Sequence, residues 1–283
     1  MLAPMEQWIL DHEPGLRVGV FLGVLALVGL VEAIRPRRSP SQGKILRWAN
    51  NLGLSVVNTV ILRLMTPLTL VAAAAWAGER GYGLFTRIAL PAWAEIVLAV
   101  VLLDLVIYGQ HVAFHKIPAL WRIHRMHHTD LDVDASTGVR FHPVEMALSL
   151  GLKLVAVVAL GAAPLAAFLF EILLNGVTLF NHGNIRLGTR LDAALRTVVV
   201  TPDMHRVHHS AERDETDSNY GFNLAWWDRL FGTYRAAPAK GYDGMVIGLE
   251  EFRDPKWLGL AWMLVTPLVL ARPDDASAPK AAP

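Results

Sequence analysis

Residues 144–180 read as one nearly continuous apolar run, and that run restricts the fold more than any other stretch of the chain. At about 1.5 Å of rise per residue it would reach well past a hydrocarbon core of about 30 Å, so it is too long for one crossing. Residues 161–164, Gly-Ala-Ala-Pro, supply a break, and the run therefore predicts a tight hairpin of two spanning helices. Residues 52–77 and 92–113 are two further apolar regions. Residues 15–34 contain an uncharged core, 18–31, with Arg17 and Glu32 near enough to its ends to snorkel. No small-residue cleavage pattern follows this first run, and its basic cluster Arg35, Arg37 and Arg38 comes after it, so it predicts a retained anchor helix. A last run, 257–270, is short and interrupted by Pro267, which suits an interfacial or re-entrant segment. Composition agrees with an all-α integral membrane protein: 53% of residues are hydrophobic and 18% are charged, against roughly 25% charged in soluble domains, and the mean hydropathy is +0.37.

Positive charge orients these spans. Arg35, Arg37, Arg38, Lys44 and Arg47 follow the first helix, and Lys116, Arg122, Arg125, Arg186, Arg190, Arg196 and Arg206 accompany the histidines discussed next. The loop between the second and third apolar regions has only Arg80 and Arg87, and the hairpin turn has no basic residue. The positive-inside rule then predicts an external N-terminus and a cytoplasmic face bearing the histidines. A bacterial inner membrane is the expected location.

Ten of the 11 histidines fall between His111 and His209. They are spaced as His111-x3-His115, His124-x2-His127-His128 and His205-x2-His208-His209, with His142 and His182 between. Residues three or four apart share a helix face, so each box can aim two or three imidazoles at one point. One histidine alone is more often a hydrogen-bonded core residue than a ligand, but three boxes at this spacing reverse that balance. Imidazole-rich ligation suits iron, zinc, copper or nickel, and ten ligands exceed the needs of one ion. Two metals are expected. Asp104, Tyr108, His111 and His115 form one stripe along a helix that runs from inside the membrane to its end. An aspartate in a span is costly, which makes Asp104 either a supporting group of the metal site or the partner of a polar neighbour such as Arg63.

The chain contains no cysteine. Haem-thiolate, cysteine-ligated iron–sulfur, Cys-type zinc and disulfide chemistry are excluded within it. A net charge of +1 without a basic tract gives no support to nucleic-acid binding. Residues 273–283, acidic and rich in Ala and Pro, read as disordered.

The ordered string Asp104-x3-Tyr108-x2-His111-x3-His115, Trp121-Arg-Ile-His124-Arg-Met-His127-His128, Arg140-Phe-His142-Pro143-x-Glu145, Asn181-His182-Gly-Asn184 and Thr201-Pro-Asp-Met-His205-Arg-Val-His208-His209 closely resembles the fatty acid hydroxylase superfamily, which includes the sterol desaturases. Asp217-Ser-Asn219-Tyr220-Gly221 and Trp227-Asp228-Arg229-Leu230-Phe231-Gly232-Thr233 complete the likeness, which covers about residues 96–234. The resemblance implies about four core transmembrane helices besides the N-terminal anchor, under a helical cytosolic cap carrying a His-rich dimetal site. It implies a non-haem di-iron oxygenase that hydroxylates or desaturates a membrane lipid with O2. It divides the chain into an anchor and basic linker (1–48), a transmembrane region (49–95), a catalytic region (96–235) and a membrane-associated C-terminal segment with its tail (236–283). Carried over by position, His111, His115, His124, His127, His128, His205, His208 and His209 match the three boxes, and His182 matches an additional ligand position. His142 is either a ligand or part of a His-Pro turn at a helix start. Glu145 and Asn184 are expected to orient imidazoles, and Asn219, Tyr220 and Gly221 to form a turn that caps the cluster. Trp226, Trp227 and Phe231 read as interfacial aromatics.

Two Fe ions are the implied cofactor, with zinc as an alternative occupant. The chain carries no haem-binding electron-transfer domain, so a separate ferredoxin or small cytochrome with its reductase is the expected electron donor. The competing class is a di-zinc membrane hydrolase or a metal-handling protein. A hydrolase would favour mixed carboxylate ligation, which the boxes lack; a transporter would place its ligands at mid-membrane, whereas these boxes flank the spans.

Overall fold

The computed structural model describes residues 2–269, and side chains from Gln7 onward; the expectation of a disordered tail at 273–283 lies outside the described residues. The chain there is helical, with no strand and three isolated β-bridges among the described residues. Five candidate membrane spans are present. After α1 (Leu2–Asp11) come α2 (Glu13–Ile34), α3 (Lys44–Met65) with α4 (Leu70–Glu79), α5 (Ala92–Lys116), α7 (Pro143–Leu160) and α8 (Pro164–Asn181). Helix α6 (Pro118–His128) and the short helices α9 (Thr189–Leu195), α10 (Pro202–His208), α11 (Arg213–Thr216), α12 (Trp226–Leu230), α13 (Gly241–Gly244) and α14 (Leu260–Val265) build the cap and its C-terminal extension.

The hairpin expected within 144–180 forms as α7 and α8. Gly161 ends α7 in the left-handed conformation, φ 64°, while Pro164 opens α8. The turn packs backbone to backbone on the α4–α5 connection: Leu84 N–H donates to the Ala159 carbonyl at 3.0 Å. A Cβ on Gly83 would lie 2.1 Å from the Gly161 nitrogen, so only glycine fits there. Helices α4, α5, α7 and α8 share a core that includes Leu70, Phe85, Leu103, Val157, Phe168 and Phe170.

Two expectations are corrected. The apolar region at 52–77 begins its helix at Lys44, because charged residues of the first two turns enter the cap as ion-paired groups: Arg47 is 1% exposed and bonds Asp130 and Asp134. A hydropathy reading discards such residues although burial has neutralised their cost by pairing. The same traverse breaks between α3 and α4 at residues 66–69, where Pro67 lies. The expected anchor helix, α2, packs against the other spans. Leu25 and Val28 pack with Leu179 and Ile185, while Leu22, Leu27 and Leu30 on the outer side stay exposed. Second, the charged residues flanking the α2 core do not snorkel. Glu32 is buried and accepts from Ala135 N–H at 2.7 Å and Asn184 N–H at 2.9 Å, and Arg17 turns inward to Glu13 and Glu171.

The C-terminal run forms short helices that pack on α3 and α6, where Met263 meets Leu54 and Met126; it is not among the candidate spans.

Candidate metal centre

Ends of α2, α3, α5, α7 and α8 meet the cap on one face, and the histidines gather there. Helix α5 contributes the stripe read from the sequence: Asp104, Tyr108, His111 and His115 are all buried. Pro118 starts α6 just after α5 ends, folding His124, His127 and His128 back over His111 and His115. Thr201 caps α10 by accepting from Met204 N–H, and Pro202 occupies its first turn, which sets His205, His208 and His209 against the other boxes. His182 follows directly on α8.

Nine imidazoles form two groups. His111, His115, His124, His128 and His208 make one; His127, His182, His205 and His209 make the other, with one candidate ligand atom per residue lying within 4.8 Å of the rest of its group. All nine are buried.

Hydrogen bonds behind the rings test whether the groups suit a metal. His111 Nδ1 donates to the Tyr220 carbonyl and His208 Nδ1 to the Ser218 carbonyl, both at 2.7 Å. His127 Nδ1 donates to the Arg140 carbonyl at 3.1 Å, and His182 Nδ1 to the Thr178 carbonyl at 2.8 Å. A carbonyl only accepts, so in each neutral ring the proton sits on Nδ1 and Nε2 keeps a lone pair. Those lone pairs face one another. Nε2 of His208 lies 3.1 Å from Nε2 of His111, and Nε2 of His182 lies 3.1 Å from Nε2 of His127. Facing lone pairs at that distance repel unless a cation lies between them, so the donor set fits a metal at each group. Burial, reinforced by the neighbouring imidazoles, holds His127, His128, His205 and His209 well below the ordinary imidazole value. Burial also pulls His182 down to about 4 and His208 to about 3. Neutral rings are the ligating form.

The profile of the family described as Fatty acid hydroxylase matches residues 96–233, the segment that holds all nine imidazoles. These residues belong to the fatty acid hydroxylase family. The chain is similar to ornithine lipid hydroxylase OlsE of Rhizobium tropici, 27% identical over 77% of this chain and 67% of that protein. It is also similar to alkylglycerol monooxygenase of Homo sapiens, 27% identical over 53% of this chain and 32% of the human protein. A third relative is the fatty acid hydroxylase vlmA of Lecanicillium sp, 27% identical over 50% of this chain and 42% of that protein. No solved structure matches the chain.

Around the imidazoles of the fatty acid hydroxylase region, some expected helpers stand where the sequence reading put them and others do not. Glu145 Oε1 accepts from His124 Nδ1 at 2.7 Å. Asn219 turns with φ 51°, and the next carbonyl, that of Tyr220, holds His111. Asp104 touches no imidazole and no Arg63. Its carboxylate accepts from Asn223 N–H, Leu224 N–H and the Trp227 indole, the last at 2.8 Å, and so orders the loop that carries Tyr220. Trp227 is accordingly buried and not interfacial, whereas Trp226 and Phe231 are exposed. Asn184 bonds Arg38 and Arg206 in place of a ring, because its side chain is taken up in joining the end of α8 to the α2–α3 linker. His142 lies outside both groups; its Nδ1 caps α7 by accepting from Val144 N–H, and its Nε2 meets the Leu264 carbonyl.

Sequence reasoning missed a buried ion network beneath the second box. Arg47 bonds Asp130 at 2.8 Å and Asp134 at 2.7 Å. Arg140, fully buried, is held by Asn51, Thr129 and the carbonyls of Met126 and Trp257. The paired charge of Arg47 and Arg140 holds Asp130 at about 2 against its burial, while burial pulls Arg140 down to about 10. The signal was the acid-rich stretch Asp130, Asp132 and Asp134 directly after the second box.

A cavity of about 460 Å³ opens among α2, α3, α5, α7 and α8. Phe141, Glu145, Thr178 and Phe222 line it at the end nearest the imidazoles. Phe141 stacks on His127 with ring centroids 4.6 Å apart, and Phe222 stands edge-on to His111 at 4.9 Å.

Proposed function

We propose that this chain is a membrane-bound non-haem di-iron oxygenase that hydroxylates or desaturates a lipid with O2 and electrons from a separate ferredoxin or small cytochrome. The observation carrying the reading is the pair of buried imidazole groups with Nε2 atoms turned on one another, at the head of a cavity between spans. Relatives whose names denote lipid hydroxylases and an alkylglycerol monooxygenase support the lipid class. The absence of any carboxylate from both groups argues against the di-zinc hydrolase.

In this reading His111, His115, His124, His128 and His208 hold one ion, and His127, His182, His205 and His209 the other. Two ferrous ions there would supply the O2 chemistry that breaking an unactivated C–H bond demands and that no side chain provides. The chain does the rest. Backbone carbonyls fix the tautomers of His111, His127, His182 and His208, so their Nε2 atoms are preorganised. Phe141 and Phe222 exclude water and bring an alkyl chain from the cavity against the two groups. Glu145 holds His124 through Oε1, while its buried Oε2 at the cavity end has no partner among the described residues. The cluster faces the cytoplasm of a bacterial inner membrane, as the distribution of basic residues supports.

Metal analysis with Mössbauer spectroscopy on detergent-purified protein expressed with iron tests the proposal. About two irons per chain in a coupled nitrogen-rich site are expected. Tightly held zinc that iron cannot replace, with no response to reductant and O2, would reject it for the hydrolase.

A further inference from the structure

The far end of the same cavity carries charge that the metal centre does not use. Arg17 on α2, Arg63 on α3 and Lys153 on α7 all line it. Ionisable groups inside a span are costly and mark function unless they neutralise one another. Here they do not. Arg17 takes both nearby acids, Glu13 at 2.6 Å and Glu171 on α8. Lys153 forms no ion pair among the described residues and lies within the electrostatic reach of both Glu171 and Arg17. Arg63 is exposed on α3 and forms no ion pair among the described residues. Three cations therefore confront two carboxylates at this end of the chamber, whose wall toward the imidazoles carries the polar Thr59, Ser149 and Asn175 beside apolar side chains such as Leu62 and Leu174.

We infer that this end of the cavity binds the anionic headgroup of an amphiphile, a carboxylate or a phosphate, with Lys153 and Arg63 as its counter-charges and the alkyl chain running toward Phe141 and Phe222. The inference rests on the cavity being the substrate chamber. Glu145 and Lys153 are eight residues apart on α7, about 12 Å along its axis. The headgroup is thus separated from the imidazoles by a length of chain, and the carbon that reacts is remote from the head.

The test is equilibrium binding to the metal-loaded protein in neutral phosphatidylcholine nanodiscs, without reductant. The probes are hexadecanoic acid, hexadecyl phosphate, hexadecanol and hexadecylamine. The acid or the phosphate is expected to bind at least about tenfold more tightly than the alcohol, and the amine most weakly. Preference for the acid alone identifies a free carboxylate, and for the phosphate alone a phospholipid-type head. Lys153→Met and Arg63→Met are each expected to remove most of that preference while leaving hexadecanol affinity unchanged, and Lys153→Arg to keep it. Arg63→Met guards against a folding defect in the buried Lys153 variant. Alcohol or amine binding as tightly as the acid, or a preference that survives both Met variants, overturns the inference. Because no turnover is needed, anion-selective binding by a protein that never oxidises lipid would refute the oxygenase reading and leave this site standing.

Discussion

The two imidazole groups differ in what stands behind the rings. In the five-membered group two acids reach the imidazoles directly: Glu145 bonds His124, and Asp217 lies 3.4 Å from His115 Nδ1. In the four-membered group no acid does. His127 and His182 rest on the carbonyls of Arg140 and Thr178, while Nδ1 of His205 and His209 has no partner among the described residues. A carboxylate behind an imidazole raises its basicity, whereas a carbonyl chiefly sets its tautomer and direction. In the proposed reading the five-membered group is expected to hold its ion the more tightly. The four-membered group has fewer imidazoles and weaker backing, and its geometry depends indirectly on Arg140 and the ion network that includes Arg47 and Asp130.

The largest test of this contrast removes a ligand from the weaker group. His127→Ala is expected to abolish turnover with little change in membrane insertion, and to lower bound metal from about two ions to about one; metal analysis beside a membrane-fraction blot reads both. A protein that keeps full activity would show that His127 is no ligand. Removing the network comes next. Arg47→Met leaves Asp130 and Asp134 buried without their partner, a change worth about 3–5 kcal/mol. It is expected to lower the thermal midpoint and to empty the four-membered group before the five-membered one, and equal loss from both would erase the proposed difference in support. Graded chelation of the unaltered protein should likewise release metal in two steps, and a single step would mean that the groups are equivalent. For the five-membered group, Glu145→Gln keeps a hydrogen-bond acceptor but loses the charge, with an expected loss of about 10- to 100-fold in metal affinity or turnover. Asn184→Ala should have the smallest effect on the metal centre: a modest fall in stability as the Arg38 and Arg206 contacts go, with metal content unchanged.

How much of this the sequence revealed varies by residue. The hairpin at 161–164 was plain, because glycine and proline announce a break inside an apolar run wherever the fold later puts it. So were the imidazole boxes, since helical spacing alone collects His124 with His128 and His205 with His209 on shared faces. Glu32, Arg17 and Arg47 were misjudged for one common reason. A charged residue near or within a span looks like a boundary marker until its partner is known, and the partners lie far away in the chain: Asp130 is 83 residues from Arg47. His142 shows the converse, since a histidine at ligand-like spacing was claimed instead by the start of α7 and the Leu264 carbonyl.

Local periodicity and solvent preference act within a few turns of chain, so the sequence alone determined that the chain spans a bilayer as helices and presents imidazoles in sets. Division of those imidazoles into a group of five and a group of four was decided only by tertiary packing. It turns α6 back on α5 and lays α10 across both, which sends His127 to one side and its neighbour His128 to the other. The same packing closes α2 on α8 and leaves a charged cavity beneath the metal centre. Contacts between residues a hundred positions apart carry no signal in local pattern, because what selects them is the burial and charge pairing of the whole bundle.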